Sequence, residues 1–318
     1  MSVVSDPQSF AEGGKRSSHL PHARRTERLS ASVLATLILT GCSPAAPLNF
    51  LARHHGVEIA RSIAYDAGAR RTLDVYRPSA ATAAPVVVFF YGGSWQSGHK
   101  ETYLFVAAAL ARHGYVTIVP DYRVYPEVRY PDFLEDGARA VRWAKDNAAR
   151  FGGDPEKLFV MGHSAGAYIA AMLALDGRWL KKVNLTPDRD IAGLIGISGP
   201  YDFLPLRDGT LKVIFGGANE PATQPISHVS RGAPPALLVT GTHDGTVDPG
   251  NVSRLAERLR AAGDDVTVKS YSWVGHLSII GAFARPLRFL APVLHDAEAF
   301  ITTTLQQRRS APHTATAS

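Results

Sequence analysis

The chain has 318 residues, of which 45% are hydrophobic and 19% charged, which is the composition of a globular protein and excludes a wholly disordered or fibrous chain. Its single cysteine excludes an internal disulfide framework and any multi-cysteine zinc or iron–sulfur site. The formal net charge is +6, but residues 1–42 and 301–318 each contribute +2. The body therefore carries only +2 and has no basic stripe with interleaved aromatics, which argues against nucleic-acid binding.

The N-terminus has the pattern of a targeting segment. A basic cluster at residues 24–28 precedes the uncharged run 29–40, which is shorter than the ~20 apolar residues of a membrane-spanning helix but fits a secretory signal. The following Leu39-Thr40-Gly41-Cys42 resembles the lipobox of bacterial lipoproteins, in which the cysteine thiol accepts a diacylglycerol unit. We expect residues 1–41 to be a signal peptide and Cys42 to be the lipidated N-terminus, the alternative being a buried, inert cysteine.

This interpretation predicts the location and the organisation of the chain. We expect a lipid-anchored protein of the bacterial cell envelope, on the periplasmic or surface side, or a cytoplasmic protein if the signal is not functional. A tether at residues 42–56 leads into one domain at 57–307, because neither an internal repeat nor a second linker is visible. Residues 308–318, rich in small and polar side chains, are predicted to be a flexible tail.

Strand and helix patterns alternate from residue 57 onward. The predicted strands are 57–65, 72–76, 85–91, 116–120, 158–162, 191–197, 236–240 and 266–271. The predicted helices are 100–113, 131–151, 165–175, 251–262 and 283–305. Strands that alternate with helices pair in parallel through right-handed crossovers. The sequence therefore predicts an α/β protein with a mostly parallel, doubly wound sheet and an antiparallel edge formed by the first two strands.

The motif Gly162-His163-Ser164-Ala165-Gly166 lies between a predicted strand and a predicted helix. A G-x-S-x-G sequence in this context forms a sharp, strained turn that presents the serine hydroxyl above the carboxyl edge of the sheet. The glycines lack Cβ atoms, so neighbouring elements can approach closely. We therefore predict that Ser164 is a nucleophile; the alternative is a helix-capping serine in an ordinary strand–helix turn.

A second motif, Tyr91-Gly92-Gly93-Ser94-Trp95, follows the most apolar strand. Acyl transfer passes through a tetrahedral oxyanion, which needs preorganised N–H donors. We expect the donors to be the backbone N–H groups of Gly93 and Ser94, together with that of Ala165. The alternative is an ordinary Gly-Gly turn.

These motifs, together with Asp121-Tyr122-Arg123, resemble the α/β-hydrolase esterases, in particular the hormone-sensitive-lipase-like and kynurenine-formamidase-like carboxylesterases. The likeness covers roughly residues 73–300. It implies an α/β-hydrolase fold and a serine esterase activity. Those families usually have His-Gly-Gly at the oxyanion turn, whereas Tyr91 stands in the place of the histidine here.

In this fold the nucleophile, the acid and the base follow one another in the sequence, so we expect the acid and the base in the two loops after residue 240. Asp244 and Asp248 both follow the strand 236–240, but Asp248 precedes Pro249 and a helix, the pattern of a helix cap. We therefore predict Asp244 as the acid. His276 follows a glycine on a loop after the last strand, whereas His295 falls within a predicted helix, so His276 is predicted as the base.

Two insertions, residues 176–189 and 200–231, are too short for a large cap, so we expect a small cap or none over a fairly open site. Trp95, Phe203 and Leu277 are candidate walls of the substrate pocket, or ordinary core residues. The resulting hypothesis is a serine hydrolase that cleaves esters of short to medium acyl chains and needs neither a metal nor an organic cofactor.

Two other functions share this sequence pattern. An arylformamidase acting on N-formylkynurenine would use the same triad of Ser164, Asp244 and His276. A non-catalytic binding protein on the same fold is the alternative from a different class, although such proteins commonly lose a member of the triad. The predicted partners are a small ester substrate and, through Cys42, a membrane.

Overall fold

A computed structural model describes residues 45–52 and 56–310 of the chain. Within them eight strands form one sheet: β1 Val57–Ala64, β2 Thr72–Pro78, β3 Ala84–Phe90, β4 Val116–Pro120, β5 Gly153–His163, β6 Gly193–Ile197, β7 Ala236–Gly241 and β8 Val266–Tyr271. Their order across the sheet is β1-β2-β4-β3-β5-β6-β7-β8. β2 is antiparallel to β1 and to β4, and the other neighbours are parallel. The predicted mostly parallel sheet with an antiparallel edge is confirmed.

Helices flank and connect these strands. They are α1 Ala46–Leu51, α2 Leu104–Arg112, α3 Asp132–Asn147, α4 Ala165–Leu175, α5 Gly177–Lys181, α6 Pro187–Asp190, α7 Gly209–Phe215, α8 Gly250–Ala262, α9 His276–Gly281 and α10 Val293–Ser310. Short 3₁₀ turns lie at Lys100–Tyr103, Ala148–Phe151, Pro221–Thr223, Pro225–His228 and Arg285–Leu287. In residues 45–52 and 56–310, no helix has the length and apolarity needed to cross a bilayer.

The core lies on both sides of the central strands. Every residue of β4, β6 and β7 is buried, as expected for parallel strands covered on both faces. The apolar stripe of α3 is buried as its spacing predicts, at Leu134, Ala138 and Val141. Helix α4, which follows the predicted nucleophile, is buried along its whole length, so the protein interior fixes the position of this turn.

The C-terminal region differs from the sequence-based prediction. The predicted helix 283–305 is wrong in its first ten residues, where a 3₁₀ turn precedes α10. Pro286 and Pro292 lack the N–H group that an interior helical residue donates, which favours a break here. Helix α10 then continues to Ser310, through the first three residues of the predicted tail, and Arg308 Nη1 donates to the carbonyl oxygen of Ile191 at 3.2 Å. Residues 311–318 lie outside the described residues.

The predicted tether also contains regular structure. Residues 46–51 form α1, and the Asn49 side chain joins it to the start of α2. Asn49 Nδ2 donates to the carbonyl oxygen of Glu101 at 2.9 Å, and Asn49 Oδ1 accepts from the N–H of Phe105 at 3.0 Å. The predicted signal peptide, residues 1–41, and Cys42 lie outside the described residues.

Candidate active site

Strand register brings the two predicted motifs together. Phe90 of β3 pairs with Gly162 of β5, so the two strands end side by side at the carboxyl edge of the sheet. Two residues further along each chain lie Gly92 and Ser164. The approach is so close that a Cβ atom on Gly92 would stand 2.9 Å from the Cβ of Ser164.

Ser164 lies on a strained turn between β5 and α4. Its φ is 56° and its ψ −124°, a conformation that costs a non-glycine residue roughly 1–3 kcal/mol and recurs at functional sites. The two glycines of the motif make the turn possible. A Cβ on Gly166 would lie 2.0 Å from the carbonyl oxygen of Phe90, and one on Gly162 would lie 2.2 Å from that of Gly166. The main-chain N–H of Ser164 donates to the carbonyl oxygen of Ile197 at 2.9 Å, which holds the turn against β6.

The loops after β7 and β8 place an acid beside a base. Gly241 and Tyr271, the last residues of these strands, pair with each other, so the loops that follow them are neighbours. His276 Nδ1 lies 2.8 Å from Asp244 Oδ2. A carboxylate only accepts, so Nδ1 carries a proton, which leaves Nε2 as the ring nitrogen that can act as a base.

The environment of Asp244 keeps it ionised. Burial acts to raise its pKa, but the hydrogen bond from His276 and those from the N–H groups of Val247 and Thr246, at 2.9 Å and 3.0 Å, outweigh burial and lower the pKa to about 2. The competing carboxylate, Asp248, instead accepts from the N–H of Gly250 at 3.0 Å at the start of α8. Of the two candidates, only Asp244 contacts His276.

Ser164 and His276 line one cavity of about 460 Å³ together with Gly93 and Ser94. Among the described residues, no hydrogen bond joins the Ser164 hydroxyl to His276. Catalytic hydrogen bonds often tighten only when the substrate is bound. A second cavity, of about 530 Å³, is also lined by Ser164 and includes Ala165 but not His276. The predicted nucleophile therefore lines two cavities.

The turn after β3 exposes its backbone donors. Gly93, Ser94 and Trp95 all have positive φ, and the carbonyl oxygen of Gly93 accepts from the N–H groups of Gln96 and Ser97 at 2.9 Å and 3.0 Å. Over residues 45–52 and 56–310, the N–H groups of Gly93, Ser94 and Ala165 have no protein acceptor. Unpartnered N–H groups beside a serine hydroxyl are the donors that an oxyanion requires.

Tyr91 supports this turn from behind. Its hydroxyl donates to Asp121 Oδ1 at 2.7 Å and accepts from Arg70 Nη2 at 3.1 Å. The Tyr122 hydroxyl donates to the carbonyl oxygen of Tyr91 at 2.7 Å. Burial raises the pKa of Tyr91 well above its ordinary value, so the group remains a neutral donor. The sequence analysis did not identify Arg70, because nothing local relates it to a residue 21 positions away.

The three candidate pocket residues divide between the two cavities. Trp95 and Phe203 lie in the larger cavity with their rings stacked at 5.9 Å. Leu277 lines the cavity of His276 and is 68% exposed. The excluded His295 lies in α10, as predicted.

Within the described part of the chain, one group of side chains has ligand atoms close enough together to hold a metal ion. It consists of His99, Glu101 and Asp121. The buried ammonium group of Lys100 already pairs with both carboxylates and lies 3.5 Å from Asp121 Oδ2. A cation is therefore already supplied by the protein at this point.

Comparisons with known proteins agree with this architecture. The chain is 31% identical to the esterase LipC of Mycobacterium tuberculosis over 72% of its length and 60% of that protein. It is 28% identical to the isoprenylcysteine alpha-carbonyl methylesterase ICME of Arabidopsis thaliana over 80% of its length and 64% of that protein. The chain thus spans less than two thirds of the length of these two relatives.

A solved esterase has a similar fold. The butyrate-bound esterase Est2 of Thermogutta terrifontis matches with a TM-score of 0.64 and 25% identity, over 78% of this chain and 94% of that one. The α/β-hydrolase fold expected from the motifs is confirmed. The BD-FAE family matches residues 73–259, more than half of the sequence, and the chain belongs to this family.

Proposed function

We propose that this chain hydrolyses carboxylic esters of short to medium acyl chains through Ser164, His276 and Asp244. The observation that carries the proposal is the 2.8 Å contact between His276 Nδ1 and Asp244 Oδ2, beside a cavity that Ser164 also lines. The names of the relatives, esterase and methylesterase, support an ester as the bond that is cleaved.

The chemistry follows from the positions of the protons. His276 Nε2 takes the Ser164 proton as Oγ bonds to the ester carbonyl carbon, and the oxyanion accepts hydrogen bonds from the N–H groups of Gly93, Ser94 and Ala165. The C–O bond to the alcohol then breaks, and Nε2 returns the proton to the departing oxygen. Water repeats the sequence on the acyl-enzyme, releases the acid and restores Ser164. Asp244 holds the Nδ1 proton of His276 throughout.

The cavity that Ser164 lines without His276 supports a limit on acyl length. Its walls near Ser164 are Trp95 and Phe203, which suit an apolar chain. Its lining also includes the ion pair of Arg254 Nε and Asp202 Oδ2, at 2.6 Å. A long alkyl chain would have to displace water from these charges, which is unfavourable.

The test is hydrolysis of p-nitrophenyl acetate and butyrate by the purified chain, beside N-formylkynurenine. We expect ester hydrolysis and its loss in Ser164→Ala, by several orders of magnitude. Faster turnover of N-formylkynurenine than of either ester would favour the arylformamidase. Hydrolysis that survives Ser164→Ala would reject the nucleophile, and no hydrolysis of any substrate would favour a binding protein.

We further propose that Cys42 carries a lipid that holds the protein at a membrane of the cell envelope. The support for this proposal is the Leu39-Thr40-Gly41-Cys42 pattern, which follows a basic cluster and an uncharged run and resembles a lipobox. Cys42→Ser should move the protein from the membrane fraction to the soluble fraction of a bacterium that expresses it. An unchanged fractionation would reject the anchor.

A further inference from the structure

An apolar groove adjoins the catalytic cavity. Its volume is about 180 Å³, and its lining is almost entirely apolar, including Leu48, Phe105, Ile280 and Leu287. Thr102, Tyr103 and Leu277 line both the groove and the cavity of Ser164 and His276. The groove is therefore a lateral extension of the reaction site.

Helix α1 supplies part of the lining of this groove through Leu48, and Ala45, the residue before the helix, supplies another part. The helix is held in place, because the Asn49 side chain bonds the carbonyl oxygens of Glu101 and Thr102 and the N–H of Phe105. The lining also includes Leu277, which directly follows His276 and is 68% exposed. A leucine this exposed gains free energy when a ligand covers it.

The direction of proton transfer in the reaction indicates which part of the ester, the acyl group or the alcohol, lies beside this groove. The departing alcohol oxygen receives its proton from His276 Nε2, so the alcohol portion must lie on the His276 side of the reacting carbonyl. The groove opens on that side, through Leu277. The acyl portion then faces the cavity of Trp95 and Phe203, which His276 does not line.

We propose that this groove binds the alkyl part of the ester's alcohol, so that the enzyme prefers esters of apolar alcohols with about four to six carbons. Its volume corresponds to about six water-sized groups of ~30 Å³ each. This inference rests on the proposed function and names the substrate class of the same site. Leu48 and Leu277 become its specificity-determining residues.

The test compares the hydrolysis of the acetate esters of ethanol, butanol and hexanol. The rate is measured by titrating the acetic acid that is released. We expect kcat/KM to rise by up to about fourfold for each added methylene, the equivalent of ~0.8 kcal/mol, until the groove is filled. Leu48→Trp fills the groove, so kcat/KM should no longer increase with the length of the alcohol. Leu48→Ala widens it and should move the preference to longer alcohols.

The matched control is Leu211→Trp, which narrows the cavity on the acyl side. It should change the preference among p-nitrophenyl acetate, butyrate and hexanoate and leave the slope of the alcohol series as in the unaltered chain. A flat alcohol series in a chain that hydrolyses p-nitrophenyl acetate would overturn the groove and leave the esterase standing. If both folded Leu48 variants keep the wild-type dependence of kcat/KM on alcohol length, the groove proposal is also overturned. If the chain does not hydrolyse p-nitrophenyl acetate at all, the proposed esterase activity is rejected.

Discussion

His163 Nε2 lies 3.0 Å from the main-chain oxygen of His276, so the residue before the predicted nucleophile holds the residue predicted as the base. A carbonyl oxygen only accepts, so Nε2 carries the proton of a neutral His163. The two imidazole rings pack with centroids 4.7 Å apart. His163 Nδ1 is buried and has no hydrogen-bond partner within the described ranges. The contact links the loop of the base directly to the turn of the nucleophile.

Removing this hydrogen bond should slow the reaction without weakening substrate binding. His163→Phe keeps a ring beside His276 but cannot donate, so we expect kcat to fall about tenfold, the equivalent of ~1.4 kcal/mol, with little change in KM. His163→Gln retains an N–H donor and should recover part of the loss. Steady-state kinetics with p-nitrophenyl acetate test this. An unchanged kcat in a folded His163→Phe would show that the contact does not position the base.

The same side chain should make the fold sensitive to acid. Burial, with the neighbouring imidazole of His276, lowers the pKa of His163 from 6.5 to about 3. Between these values the unfolded chain binds a proton that the folded chain does not, so His163 costs stability progressively as the pH falls below 6.5. The melting temperature of the wild type should therefore fall more between pH 7 and pH 4 than that of His163→Gln. If the melting temperatures of the two proteins fall equally with pH, His163 is not a source of the acid sensitivity.

The elements predicted most accurately carry local signals. Strand β4 and helix α4 match their predicted bounds, because apolar residues and nearby glycines mark them within the sequence. Local motifs, with the chain order of the resembled fold, also led to the prediction of Ser164, Asp244 and His276. Local reasoning could not find the bond from His163 to a residue 113 positions away. Nor could it place Arg70 behind the oxyanion turn, since such contacts exist only after the strands have paired.

The close approach of Gly92 to Ser164 can be tested by adding one methyl group. In Gly92→Ala the new Cβ would lie 2.9 Å from the Ser164 Cβ and 3.2 Å from His163 Nδ1, so the turn or the nucleophile must move. A displacement on the order of 1 Å at reacting groups can cost about 100-fold in rate. Gly245→Ala is the control, because its Cβ would meet nothing within 4 Å. Equal kcat/KM for the two variants would contradict this geometry.

If Asp244 and not Asp248 is the acid, Asp244→Asn should greatly reduce kcat and Asp248→Asn should hardly change it. Asp244→Asn presents an amide to His276, which favours the wrong tautomer and leaves no negative charge for the cationic imidazole. By analogy with other triads we expect kcat to fall by about 10⁴. Asp248→Asn keeps an oxygen for the N–H of Gly250 and loses only an exposed ion pair with Arg254, at 3.2 Å, so kcat should change by less than about twofold. Burst kinetics with p-nitrophenyl acetate would show whether acylation is the step that Asp244→Asn slows. A loss of comparable size in both variants would return Asp248 to consideration as the acid.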